Sequence, residues 1–330
     1  MQKISNTTLG VQRRSELRSN IQAEYQTMVV GMSHGYKMDQ PFSRWRILFG
    51  AFIIVFVYVG GLFGVGFFIH GRAGFDLNQP SQVTLMVFLA SFIPIWLATG
   101  AVTSWVMGFP LPHLYGRMAR ISWRDFKLGF FYVLSLVLVI EAVVCIITWS
   151  LGSMPYLRNP LVSGSDWIVW LLPLSVLIFL QVGAEELFFR GYLLRLIYAR
   201  RASLLWAVYI PSLLFGLAHF DPVTYGGNAV FYVLNTTVTG VILCFIVLWR
   251  GNIGMAMGIH FAVNISAILI VGQDNTPIGS GGAFWVSTIA PKSDTLGLIM
   301  VAFTLLEIIL YFVWAKRYHG ALIPRDVGSV

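Results

Sequence analysis

Eight stretches of this chain are apolar for long enough to cross about 30 Å of hydrocarbon, and nothing else in it constrains the fold as strongly. They run approximately Ile47–Ile69, Gln82–Met107, Lys127–Trp149, Trp167–Tyr198, Ser203–Phe220, Ala229–Trp249, Ile253–Val271 and Leu296–Ala315. A backbone in lipid must satisfy its own polar groups, so runs of this length are expected as helices. Composition agrees. Hydrophobic types make up 57% of the 330 residues and charged types 11%, against roughly 25% charged in a soluble domain. The expectation is an all-α polytopic membrane protein with about eight transmembrane helices. No cleavable signal peptide is expected, because residues 1–46 are polar and the first apolar run already has full span length. The chain shows no internal repeat.

The basic residues orient the spans. Counting alternate connections from the N-terminus puts 18 Lys or Arg on one side and three (Arg72, Arg158, Lys292) on the other, with Arg190 inside a span. By the positive-inside rule, both termini are expected in the cytosol, which requires an even number of spans. The same sidedness accounts for the net charge of +8 without nucleic acid, which is not expected as a partner. Four regions follow: a cytosolic tail (1–46), three N-terminal helices (47–149), a four-helix core (150–271), and a last loop, eighth helix and cytosolic tail (272–330). Cys145 and Cys244 both lie in apolar runs, so neither a disulfide framework nor a Cys-ligated zinc site is expected.

Chemistry is sought where lipid forbids polarity. Glu185, Glu186 and Arg190 stand in QVGAEELFFRGYLLR, well inside the fourth run. Glu186 and Arg190 are four apart on one helical face, in the favourable order for an ion pair. Glu185 is rotated about 100° from Glu186 and is left free of that pairing. His219 closes the fifth run, with Phe215 one turn earlier. If the fourth and fifth helices fold back at Arg201–Ala202, Glu185 and His219 are equidistant from the turn and meet about 25 Å along their helices. In the seventh run His260 and Asn264 share one face, about 12 and 18 Å from the turn at Arg250–Asn252, shallower than Glu185 but within reach of a tilted helix.

Bland readings stand beside these. Glu141 and Glu307 have no companion at helical spacing and are expected in interhelical hydrogen bonds, as are Asn235, Thr236 and Thr237. His34, His70, His113 and His319 fall in expected loops or tails. The glycine-rich stretch at 279–284 does not open a helix after a strand, so no phosphate cradle is read there.

The patterns Glu185-Glu186-Leu187-Phe188-Phe189-Arg190, Phe215–His219 and His260–Asn264 resemble the three motifs of the CPBP family, the CAAX proteases and bacteriocin-processing enzymes of the Abi type. The chain resembles the type II CAAX prenyl endopeptidase, the best-understood branch of that family, and the likeness covers Glu185–Asn264. It implies an eight-helix intramembrane glutamate endopeptidase opening toward the cytosol, with no cofactor. It also implies that Glu185 and His219 activate a water and that His260 and Asn264 form an oxyanion hole. Glu186, Arg190 and Phe215 would support them. The implied partners are the bilayer and a peptide or protein substrate, with or without an attached lipid; cleavage at a CAAX sequence and trimming of a bacteriocin or leader peptide both fit. A bacterial plasma membrane is the expected location.

Three alternatives stay open. Glu185, His219 and His260 could hold zinc, as in a zinc-dependent membrane peptidase, although no HExxH occurs. Buried Glu and His could relay protons in a transporter. A non-enzymatic scaffold could share the fold.

Overall fold

The computed structural model describes residues 43–72, 79–116, 118–200, 203–274, 276 and 278–317. Most of the expected N-terminal tail, the Arg201–Ala202 turn and the C-terminal tail after Arg317 lie outside the described residues. Among the described residues the chain makes eight apolar helical passes. Helix α1 (Arg44–Arg72) is the first; α2 (Gln82–Ala90), α3 (Ile93–Ala101) and a π turn (Val102–Met107) form the second. A 3-10 segment (Leu111–Tyr115) leads to α4 (Trp123–Ser150), the third. The fourth runs without a break through α5 (Gly164–Glu186), a π turn (Leu187–Leu193) and α6 (Leu194–Ala199). Helix α7 (Leu204–Leu217) is the fifth, and the one-turn α8 (Pro222–Tyr225) leads into α9 (Ala229–Arg250), the sixth. The seventh is α10 (Gly254–Ile265) with a π turn (Ser266–Ile270); after the one-turn α11 (Gly279–Gly282), α12 (Asp294–Arg317) is the eighth.

Serines start four of these helices, with Ser81 accepting from the Thr84 N–H at 3.0 Å at the start of α2. Ser122, Ser163 and Ser203 each accept a backbone N–H from three residues on, at 3.4, 3.0 and 3.4 Å, satisfying a donor that the first turn leaves unpaired. Among the described residues six passes are long and apolar enough to cross a membrane, and the fifth and seventh are shorter. At 14 residues α7 spans only about 21 Å, shorter than the hydrocarbon thickness of about 30 Å, and His219 follows two residues after its end. The all-α polytopic class is as expected, and the protein is a multi-pass integral membrane protein. Helix α1 continues to Arg72, so His70 lies on a helix and not in the expected loop.

The ends of the bundle are built differently. At the basic end, Arg250 pairs with Asp125. Asn252 ties three segments together: its Oδ1 accepts from the N–H groups of Ser122 (3.0 Å) and Gly254 (2.8 Å), and its Nδ2 donates to the Arg120 carbonyl (2.8 Å). The opposite end carries a small sheet absent from the sequence-based expectation, in the order β1-β3-β2. Strand β1 (Tyr156–Arg158) is antiparallel to β3 (Trp285–Ser287), and β2 (Val271–Gln273) is parallel to it. Asn159 pins this end by donating to the carbonyls of Ser280 and Ala283, both at 2.8 Å.

Helix α10 lies close along α4. A methyl group on Gly258 would overlap the Phe126 carbonyl, so glycine is what lets the backbones touch. The remainder of α4 is largely exposed, whereas the C-terminal end of α5 is buried between the second pass (α2 and α3) and α10. The first motif begins in that buried end.

Candidate active site

Glu185 and Glu186 close the α-helical part of the fourth pass, 7% and 0% exposed. The π turn begins at the next residue, and a second π turn begins two residues after Asn264. π turns inside helices recur at functional sites because they re-aim the side chains on either side. On the back of α5, Gly183 admits the Trp96 ring, whose indole N–H donates to the Leu180 carbonyl at 2.8 Å. This contact holds the face that carries the two acids.

Glu186 is enclosed. Its Oε1 accepts from Arg190 Nη1 at 2.8 Å and from His260 Nδ1 at 2.9 Å. Arg190 is itself 0% exposed, with its guanidinium 4.3 Å from the centroid of the Phe215 ring. The expected Glu186–Arg190 pair is therefore present, and it has a third member in His260. Because a carboxylate only accepts, His260 carries a proton on Nδ1, and its other nitrogen, Nε2, stands 3.4 Å from Glu185 Oε2. The imidazole lies between the two adjacent acids, hydrogen-bonded to Glu186 and beside Glu185.

Glu185 faces a cavity of about 2450 Å³, which Gln181, His219, Tyr232 and Asn264 also line. His219 lies in the turn after α7, not on the helix itself. Its Nδ1 donates to the Phe215 carbonyl at 2.7 Å, capping a helix end and leaving the Nε2 lone pair free. Phe215 is the shared neighbour: its ring centroid is 4.7 Å from that of His219 and 5.6 Å from that of His260. Glu185 and His219 thus share a cavity, but the ionisable side chain that touches Glu185 is His260.

This differs from the depths expected for two turns at the membrane surface. The connection after α9 is sunk: Gly251 accepts from Arg195 Nη2 at 3.2 Å, and Ile253 N–H donates to the Tyr115 carbonyl at 3.0 Å. Arg195 is ten residues from Glu185 and Gly251 nine from His260, each about 14–15 Å of helix, which brings acid and imidazole level.

Asn264 donates through Nδ2 to Gln181 Oε1 at 2.9 Å. Gln181 escaped the sequence reading, although its spacing was legible. It is a buried amide four residues before Glu185, hence on the same helical face. Among the described residues no group of three His, Cys, Asp or Glu side chains is arranged to hold a metal ion.

The remaining polar residues divide. Glu307 accepts from Thr239 at 2.9 Å, and Asn235 donates to Thr304 at 3.0 Å, both between α9 and α12 as expected. Thr236 departs from expectation by bonding the Tyr232 carbonyl of its own helix at 2.8 Å. The Thr237 hydroxyl, packed on Gly216 of α7, has no partner among the described residues. Glu141 is met by the Tyr156 hydroxyl of β1 rather than by another helix. Burial, and then that carboxylate, push the Tyr156 phenol up. Contrary to expectation, the glycine-rich stretch does form a helical turn after a strand, but Gly279 is closed against Gln273 and Thr276 and Gly281 and Gly282 against Ser81 and Leu85, which leaves no cradle.

Residues 166–266 match the family described as type II CAAX prenyl endopeptidase Rce1-like, and all three motifs fall within the match. The chain is also similar to the uncharacterized Bacillus subtilis (strain 168) protein YyaK, with 23% identity over 303 residues, 87% of this chain and 96% of the relative. That likeness runs well beyond the matched core and is consistent with a bacterial plasma membrane. No solved structure matches. Residues 166–266 of this integral membrane protein are thus similar to the type II CAAX prenyl endopeptidase Rce1-like family, which at family level supports a CAAX-type membrane protease.

Proposed function

We propose that this protein is an intramembrane endopeptidase that hydrolyses a peptide bond of a lipid-modified, CAAX-type substrate by direct attack of water. The observation that carries this reading is one carboxylate, Glu185, at the wall of an apolar cavity, with an imidazole 3.4 Å away that is itself held from behind by a second acid. In this mechanism Glu185 takes a proton from the attacking water, and the free Nε2 of His219 shares the base's work from across the cavity. The water oxygen bonds to the scissile carbon. Asn264, on the cavity wall, donates to the oxyanion that forms, and His260 adds an Nε2–H beside Glu185 when it is protonated on both nitrogens; a preorganised donor of this kind in a dry site is worth about 3–4 kcal/mol. The proton taken by Glu185 passes to the leaving amine as the C–N bond breaks. Glu186 holds the His260 ring through its Nδ1–H, and Arg190 holds Glu186.

The cavity supports a lipid on the substrate. Its walls include Phe52, Val55, Phe88, Phe92, Ile210 and Leu214, an apolar surface far larger than a peptide backbone needs. Arg44 and Arg200 stand at its basic end, which we place in the cytosol, with both termini on that side.

The test uses the full chain in proteoliposomes and a farnesylated peptide ending in a CAAX sequence, with a fluorophore and a quencher across the scissile bond. Wild type should release fluorescence, Glu185→Gln should not, and a chelator should leave the rate unchanged. An uncut peptide, or an active Glu185→Gln, overturns the proposal. Loss in chelator that zinc restores replaces the mechanism with a metal-dependent one. A cytosol-specific reporter fused after Val330 should be active; an active external reporter overturns the orientation.

A further inference from the structure

The Gln181–Asn264 hydrogen bond stands apart from the other interhelical polar contacts because it lies at the cavity wall beside Glu185. A clamp between α5 and α10 is already supplied elsewhere. His260 bonds Glu186 lower on the same two helices, and Trp167 Nε1 reaches the Leu269 carbonyl at 2.8 Å at the other end. The amide pair therefore needs a reason beyond holding the helices together.

An asparagine amide offers two N–H donors on one side and an acceptor on the other, and its terminal torsion is broad and close to two-fold. Left alone, Asn264 could present either edge to the cavity. Only the donor edge stabilises a developing oxyanion; the acceptor edge opposes it. Gln181 Oε1 only accepts, so its bond to Nδ2 fixes which edge of the amide carries the donors and leaves one N–H unused by Gln181, on a residue that lines the cavity together with Glu185. Gln181 is fixed in turn by its burial (6% exposed) on a helix that Trp96 braces.

We propose that Gln181 is a positioning residue of the hydrolytic site: it sets which edge of the Asn264 amide faces the scissile carbonyl. This rests on the reading of Asn264 as an oxyanion donor. Losing the bond lets the amide turn, and misplacement of a catalytic group by about 1 Å costs up to ~10²-fold.

The experiment is a double-mutant cycle on the full chain in proteoliposomes with the farnesylated CAAX peptide. Gln181→Met keeps length and removes the acceptor. It should lower kcat by about 10- to 100-fold with KM unchanged and the folded yield after detergent extraction maintained. In the Asn264→Ala background the same change should do nothing further, since no amide is left to orient. Selective ¹⁵N-asparagine labelling gives a readout independent of turnover, in which the Asn264 side-chain signal should shift and lose exchange protection in Gln181→Met. Independent, multiplying losses overturn the proposal, as does an unmoved Asn264 signal. A slow Asn264→Ala beside a full-speed Gln181→Met overturns it while leaving the proposed function standing. A full-speed Asn264→Ala overturns the oxyanion role of Asn264, and this proposal with it.

Discussion

Glu185 and Glu186 are neighbours in the chain and stand in opposite surroundings. Behind the helix, Glu186 is enclosed with Arg190 and the Nδ1 of His260, and none of the three lines the cavity. In front, Glu185 opens on a cavity shared with His219, Gln181 and Asn264. The 100° between consecutive helical residues is enough to put one carboxylate in a sealed ion cluster and its neighbour on a wet or substrate-filled wall. A membrane site needs both. The charge that works must be reachable, and the groups that hold it must be neutralised where no water can do so.

The largest expected effect is in front. Glu185→Gln keeps shape and removes the base, so kcat should fall by about 10²–10⁴-fold while folded yield holds. Rates on the farnesylated peptide, with detergent-extracted yield as control, check this. An active and poorly folded Glu185→Gln would exchange the roles of the two sides.

Behind, the expected loss is of the fold. Glu186→Gln leaves Arg190 buried without a counter-charge, and breaking a buried pair costs about 3–5 kcal/mol. Thermal unfolding in detergent should show a large downward shift for Glu186→Gln and little for Glu185→Gln. Equal shifts would dissolve the distinction between the two acids.

Asn264→Ala returns to the front with a smaller effect, about 10²–10³-fold in kcat with KM little changed, because a ground-state carbonyl draws less on the donor than the oxyanion does. A rise in KM at constant kcat would make Asn264 a substrate-binding group instead.

How much of this was legible depends on the kind of signal each feature leaves. Polar residues in apolar runs are visible because lipid makes them costly, so Glu185, Glu186, Arg190, His219, His260 and Asn264 stood out, and i,i+4 spacing alone paired Glu186 with Arg190. The ring of His260 between both acids was not visible. It depends on a sunken turn held by Arg195 and Tyr115, tertiary contacts with no trace in spacing. Gln181 was overlooked because an uncharged amide in a membrane helix attracts less suspicion than an acid. Three-residue strands are too short to show a period of two, and π turns differ from α only in hydrogen-bond register.

Phe215 tests the boundary between the two sides. Its ring lies over the Arg190 guanidinium behind and against His219 and His260, and it is 3% exposed. Leucine at this position would keep most of the apolar volume and lose the quadrupole that faces the cation. The cation–π contact of a desolvated arginine is worth up to about 2 kcal/mol, so Phe215→Leu should destabilise by about 1–2 kcal/mol, less than Glu186→Gln. The backbone carbonyl that caps His219 is untouched by the change, so kcat should fall only several-fold. If Phe215 serves as the partition, Phe215→Leu should cost almost nothing further in an Arg190→Met background, where the cation that the ring covers is already gone. If instead Phe215→Leu abolishes turnover in a protein of unchanged stability, the ring belongs to the cavity side, and the FxxxH pattern is part of the reacting surface rather than the wall behind it.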